Sequence, residues 1–242
     1  MTAILVAEGL QKRFGAVAAA ADINLSIARD TVVGLIGANG AGKTTFLNIA
    51  TGYLRPDTGG IRFDGHDVVG RSPREITRLG LSRSFQIPQL FHSLSVRENL
   101  FVAEGIAGAA HVVEATEALL ARFALGAYAG RAAGLLPEGI RKLLDVAMAL
   151  VGKPKLLLLD EPTSGVAADE KFEIMDLVMG AVRGHGVTVL FVEHDMEIVS
   201  RYAERVIAFY EGRVIADGAP APVLAAEAVR KYVIGEDAHA VA

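Results

Sequence analysis

The octapeptide Gly37-Ala38-Asn39-Gly40-Ala41-Gly42-Lys43-Thr44 follows the apolar run Thr31-Val32-Val33-Gly34-Leu35-Ile36 and opens a helical pattern near Gly42 to Thr51. It fits the spacing G-x-x-x-x-G-K-[ST], and strand, loop, helix is the context in which that spacing has a mechanism. Glycines let successive backbone N–H groups turn inward around phosphate oxygens, and the helix N-terminus adds the positive end of its dipole. Residues Gly37 to Thr45 are therefore the expected cradle of a nucleotide. Lys43 should reach the β- and γ-phosphates, and the Thr44 hydroxyl should bind Mg²⁺.

Further along the chain, Leu156-Leu157-Leu158-Leu159-Asp160-Glu161 reads as an apolar strand that ends in two acids. Buried strands end in acids for bland reasons too. With a phosphate-binding lysine earlier in the chain, a Mg²⁺-nucleotide site is the economical explanation, Asp160 near the metal and Glu161 beside the attacking water. Strands and helices alternate on either side. Ile4 to Ala7 and Ile23 to Ala28 read as strands, as do Lys155 to Asp160 and Val187 to Glu193, with helices over Asp169 to Arg183 and Met196 to Ala203 and a hairpin-like pair around Glu211-Gly212. Between them, from about Ile87 to Leu150, an alanine-rich pattern reads as helices over Val96 to Glu104, Val112 to Ala124 and Glu138 to Leu150. Pro220 to Gly235 reads as short helices, and Glu236 to Ala242 as a frayed end.

The chain has 242 residues, 52% of them hydrophobic, and a formal net charge of -4. That length suits one large α/β domain with an inserted lobe. No apolar run approaches the roughly 20 residues a membrane span needs. The acidic balance lacks the basic footprint of nucleic-acid binding, so no nucleic-acid partner is expected. The absence of cysteine excludes disulfides, thiolate metal sites and a cysteine nucleophile. The first residues lack the pattern of a secretion signal, so a cytoplasmic location is expected.

These motifs, in this order, resemble the ATP-binding subunits of ABC transporters over nearly the whole chain. The resemblance implies a P-loop NTPase, RecA-like core of mainly parallel sheet, an N-terminal antiparallel β subdomain and an inserted α-helical subdomain. The expected division is 1–86 and 151–218 for the nucleotide-binding core, 87–150 for the helical subdomain and 219–242 for a helical tail. It also implies roles. Phe14, in Lys12-Arg13-Phe14-Gly15, resembles the aromatic that stacks on adenine, with a strand-edge core residue as the alternative. Gln86, in Ser84-Phe85-Gln86, resembles the glutamine that touches Mg²⁺ or water, and His194, in Val192-Glu193-His194-Asp195, the histidine that contacts the γ-phosphate.

The family's Leu-Ser-Gly-Gly-Gln signature should fall at Leu135-Leu136-Pro137-Glu138-Gly139-Ile140-Arg141-Lys142, and here the chain departs from it. Leu136 and Gly139 match, but Pro137 stands in place of the serine and offers neither hydroxyl nor N–H. In the family this segment caps the γ-phosphate held by the other subunit. A weak cap, and hence a heterodimer with a different ATPase chain, is one expectation; an altered signature that still works in a homodimer is the other. Ala167, in Ser164-Gly165-Val166-Ala167-Ala168, stands where an aspartate is common at the dimer contact.

Ser84-Phe85-Gln86-Ile87-Pro88 and Val229-Arg230-Lys231-Tyr232-Val233-Ile234-Gly235-Glu236 look most like the ATPases of branched-chain amino acid-type importers. That resemblance implies ATP hydrolysis at the inner face of a membrane, permease subunits contacted near Gln86 to Asn99, and an indirect link to an external solute-binding protein. Two rivals stay open. An ABC ATPase of DNA repair would need coiled-coil or zinc insertions, for which neither heptads nor cysteines exist. A nucleotide-sensing subunit that dimerises on ATP without hydrolysis of its own is argued against by Lys43, Asp160, Glu161 and His194 together.

Overall fold

The computed structural model describes residues 2–183 and 186–235; the frayed end expected over 236–242 lies outside the described residues. In chain order, β1 (Ala3–Phe14) and β2 (Val17–Ala28) form a hairpin, and β3 (Val32–Gly37) leads through the phosphate loop to α1 (Lys43–Ala50). Then come β4 (Thr58–Phe63), β5 (His66–Asp67), α2 (Pro73–Leu79) and β6 (Leu81–Ser84), followed by α3 (Val96–Ala107), α4 (Val112–Arg122) and α5 (Glu138–Leu150). β7 (Leu156–Asp160), α6 (Lys171–Val182), β8 (Thr188–Val192), α7 (Met196–Tyr202), β9 (Arg205–Tyr210) and β10 (Arg213–Gly218) complete the sheet. α8 (Pro220–Ala225), α9 (Glu227–Val229) and a π-helical turn over Arg230–Ile234 end the described chain.

The strands make two sheets. One is antiparallel in the order β2-β1-β4-β5; the other runs β10-β9-β3-β8-β7-β6 and is parallel except for the β9-β10 hairpin. Its central strands are apolar on both faces because both faces are covered. Along β7, Leu157 and Leu159 pack with α3 to α7, while Leu156 and Leu158 pack with α1 and the antiparallel sheet. This is the P-loop fold with an antiparallel β layer.

The parallel strands other than β6 and the helices other than α2 match the expected spans to within a few residues, whereas β1 and β2 extend beyond theirs, and β4, β5, α2 and β6 fall where no element is expected. Local chemistry explains this. β4 contains Gly59 and Gly60, and Gly59 sits at φ 84 with its α-carbon so close to β1 that a Cβ would lie 2.3 Å from the Gly9 carbonyl oxygen. Glycine there serves the sheet contact and erases the strand pattern. α2 is marked instead at its start, where Ser72 and Glu75 form a reciprocal capping box, as Ser95 and Glu98 do for α3.

Candidate nucleotide site

The phosphate loop leaves the end of β3 and closes on itself. Lys43 is buried, and its ammonium donates to the carbonyls of Gly37 at 2.5 Å and Ala38 at 3.1 Å. Burial pushes the Lys43 pKa down, while the charges of Glu161 and Asp160 push it back up. Gly42 is the N-cap of α1, at φ 105. A Cβ on Gly42 would come within 2.3 Å of the Ala19 carbonyl oxygen, so the residue must be glycine for two independent reasons.

That close approach explains the alanine run Ala18 to Ala21, which has no chemistry of its own. The Glu211-Gly212 turn of the β9-β10 hairpin lies against it: Gly212 N–H donates to Ala41 O at 2.9 Å, and Ala21 N–H donates to Gly212 O at 2.8 Å. The phosphate loop is thereby held from the far end of the chain. Phe14, Asn39, Gly40, Ala41, Gly42, Lys43, Thr44, Thr45 and Glu161 line one cleft of about 250 Å³ with Val17 and Ala19. Phe14 stands on its rim at 52% exposure, which removes the alternative of a core residue and leaves an open aromatic face.

Opposite the loop, three side chains far apart in sequence meet. The Gln86 side-chain amide donates to Glu161 Oε2 at 2.8 Å, and His194 Nε2 lies 3.0 Å from Glu161 Oε1. Such a contact needs the proton on Nε2. Glu161 has φ 53, a left-handed conformation that costs a side-chain-bearing residue roughly 1–2 kcal/mol. Strain of this kind collects where a side chain must be aimed. Here it turns Glu161 out of the line of β7 towards the cleft.

Asp160 is nearly buried, and its Oδ2 accepts from Arg83 Nη2 at 2.5 Å. Arg83 also donates to Asn48 on α1 at 2.7 Å and lies over the Phe85 ring. Neither Arg83 nor Glu193 was singled out from the sequence. Glu193 accepts from the N–H and hydroxyl of Thr163 at 2.9 and 2.7 Å, which ties the end of β8 to the loop after Glu161. In the sequence Arg83 carries no local sign of burial, because Leu81-Ser82-Arg83-Ser84 is too short and too polar to read as a buried strand.

The altered signature lies apart from this cluster, at the start of α5. Pro137 is the N-cap rather than a first-turn residue, and no side chain caps the helix there. Glu138 is ion-paired with Arg141, so its negative charge is locally matched. Leu136 is buried in the core and its N–H donates to Ala133 O at 3.3 Å, so neither its side chain nor its N–H faces a ligand in this arrangement. Gly139 is pressed against α6, where a Cβ would lie 2.7 Å from Ile174 Cδ1. Within the segment expected to meet the permease, Leu90 packs partly into the core, whereas Ile87 and Phe91 are exposed.

Among the described residues no group of three His, Cys, Asp or Glu is placed to hold a metal. A cation at Asp160 and Thr44 would need further oxygens from a bound phosphate, and that donor set suits Mg²⁺, which prefers few protein carboxylates plus phosphate and water. No described helix is long and apolar enough to cross a membrane.

Comparison with known proteins places this geometry. A family model described as ABC transporter matches residues 20–164. The high-affinity branched-chain amino acid transport ATP-binding protein BraF of Pseudomonas aeruginosa is 34% identical over 257 aligned positions, covering 96% of this chain and 98% of that protein. LivG of Escherichia coli K12, of the same description, is 33% identical with the same coverage. Among solved structures, the ADP conformation of MJ1267, an ATP-binding cassette of an ABC transporter, matches with TM-score 0.86 at 31% identity over 98% of this chain and 100% of that one. The dimeric post-hydrolysis structure of MJ0796 with ADP and Pi shares the fold, with TM-score 0.79 at 23% identity over 89% of this chain and 98% of that one. With the phosphate loop, the strand-end acids and the family match in one segment, the chain belongs to the ABC transporter family and is one of its ATP-binding, ATP-hydrolysing cassettes.

Proposed function

We propose that this cassette powers an importer of branched-chain amino acids or related small polar solutes, docked on permease subunits at the cytoplasmic face of the membrane, with a solute-binding protein delivering cargo on the other side. The observation that carries this reading is the likeness to BraF and LivG along nearly the full length of both partners. Exposed Ile87 and Phe91 are the apolar residues offered to the permease. The working division is a nucleotide-binding core over 1–86 and 151–218, a helical subdomain over 87–150 and a tail over 219–242. Uptake of labelled leucine, compared with an amide, urea and an aromatic acid, in cells with and without this chain tests the substrate class; loss of none of these uptakes on deletion refutes it.

In the chemistry, Phe14 stacks on adenine, the N–H groups from Ala38 to Thr45 and the Lys43 ammonium hold the phosphates, and Glu161 polarises the attacking water. For Lys43 to reach a phosphate, its bonds to the Gly37 and Ala38 carbonyls must exchange for bonds to phosphate oxygens. His194 holds Glu161 on one side and reaches the γ-phosphate, while Gln86 holds it on the other. Thr44, Asp160 and Gln86 would hold Mg²⁺, which would supply charge compensation for the transferred phosphoryl group.

The altered signature favours an asymmetric pair in which a different ATPase chain caps the ATP on this chain. With proline as N-cap, the start of α5 lacks the serine hydroxyl that would meet a partner's γ-phosphate. ATP on the partner is then poorly capped and serves more for sensing than for turnover. The test is ATPase turnover of the chain alone beside Pro137→Ser/Glu138→Gly/Ile140→Gln, each at several protein concentrations. Nearly inactive wild type with concentration-dependent turnover after repair supports asymmetry; an active wild-type homodimer that repair leaves unchanged refutes it.

A further inference from the structure

Two buried charges on one face of α5 take no part in the chemistry above. Lys142 and Asp145 sit one helical turn apart, 1% and 5% exposed. No ion pair joins Lys142 to a carboxylate among the described residues; its ammonium donates instead to the backbone carbonyl of Gln86, to that of Glu161 at 3.0 Å, and to Ser164 Oγ at 3.2 Å. Three acceptors saturate its three protons. Asp145 accepts from the N–H of Phe85 at 3.0 Å and of Gln89 at 2.8 Å.

Together the pair grips the loop 85–89 at three points, with the Gln86 carbonyl held between the two amides. The lysine reaches from that loop to the residue whose φ of 53 aims its carboxylate at the cleft. A buried ammonium is costly unless fully hydrogen-bonded; here the cost is offset by acceptors from separate segments, two of them the backbone carbonyls of Gln86 and Glu161, whose side chains share a hydrogen bond.

We propose that Lys142 and Asp145 are positioning residues for hydrolysis: from α5 they fix the backbones of Gln86 and Glu161 relative to each other, so that Glu161 faces the γ-phosphate. The inference rests on the reading of Glu161 as the group that activates water. Its test uses the transporter assembled with its own partner subunits, where the site on this chain turns over whichever reading of the signature holds. Lys142→Met is expected to keep ATP affinity within about 3-fold and to lower kcat at least about 30-fold. Lys142→Arg, which keeps the charge and donors, should recover at least about 5-fold of that loss. Hydrogen exchange at the Phe85 and Gln89 amides should speed up about 10-fold or more in Asp145→Asn.

Adding Lys142→Met to Glu161→Gln should cost almost nothing further, since both act through one carboxylate. If Glu161→Gln alone keeps normal turnover, the Glu161 reading fails; if it is inactive while Lys142→Met turns over normally, the positioning reading fails. A parallel loss of ATP affinity and kcat in Lys142→Met overturns it as well. Should Lys142→Met not fold, Asp145→Asn decides: slower turnover with intact ATP binding and faster amide exchange supports the grip, and wild-type values refute it.

Discussion

Replacing Glu161 with glutamine removes one negative charge and almost no volume. In the folded chain Glu161 accepts from Gln86 and contacts His194, at 2.8 and 3.0 Å. Glutamine keeps an oxygen for the first contact and offers an NH₂ to a ring nitrogen in the second, so the change in stability should stay below about 1 kcal/mol. Nucleotide affinity should hold or rise, because a carboxylate lining the cleft no longer repels the triphosphate. Turnover is different. A positioned general base contributes about 10²- to 10⁴-fold, which is about 3–5 kcal/mol of barrier. We therefore expect Glu161→Gln in the assembled transporter to bind ATP within about 3-fold of wild type or tighter, to accumulate the closed ATP-bound state, and to hydrolyse at least about 100-fold more slowly. Isothermal titration gives the affinity and phosphate release the rate. Turnover within about 3-fold of wild type would refute the assignment, and a matching loss of binding would show that the side chain supports the cleft rather than the chemistry.

Lys43→Ala removes the ammonium that must exchange loop carbonyls for phosphate; ATP affinity should fall about 10- to 100-fold, as for loss of a charge-assisted bond, and unchanged titration curves would count against it. Gly42→Ala must fit a Cβ 2.3 Å from the Ala19 carbonyl oxygen at φ 105, whereas Gly40→Ala at φ 79 meets nothing within 4 Å; the first should melt well below the second, and equal melting temperatures would contradict the close approach. Asp160→Ala strands buried Arg83, and breaking such a pair costs about 3–5 kcal/mol; Asp160→Leu with Arg83→Met should recover most of it in denaturant unfolding, and a double variant no better than the single one would refute the pairing. Asp64 has its pKa lowered from 3.8 by hydrogen bonds from Lys155 and Arg29. Its stabilising effect is therefore present above about pH 4 and lost as pH falls through its lowered folded-state pKa, so Asp64→Asn should flatten the acid limb of a stability–pH profile, and an unchanged limb would argue against it.

The sequence was most legible where function and fold are written in neighbouring residues. The phosphate loop is eight consecutive positions whose spacing has one physical use, and the leucines of β7 announce a strand buried on both faces followed by two acids. Helices α3 to α7 were visible from periodicity, whereas Gln86 and His194 stand out in the sequence only through family resemblance. What the chain alone could not disclose are contacts whose partners lie tens to hundreds of residues apart. Gln86, Glu161 and His194 converge only because β6, β7 and β8 lie side by side in the sheet. Arg83 reads as an ordinary surface cation until β6 is paired with β7 and Asp160 is found beside it. Lys142 reads as a solvated lysine on an amphipathic helix until α5 is laid against the loop 85–89. The alanine run Ala18 to Ala21 carries no chemistry of its own, and only the packed structure shows it to be the small surface that lets Gly42 and Gly212 approach. Local spacing specifies backbone conformation and chemistry type, because both depend on near neighbours in the chain; which charge is buried against which depends on the packing of elements, and that is settled only when the sheet and α5 close around the site.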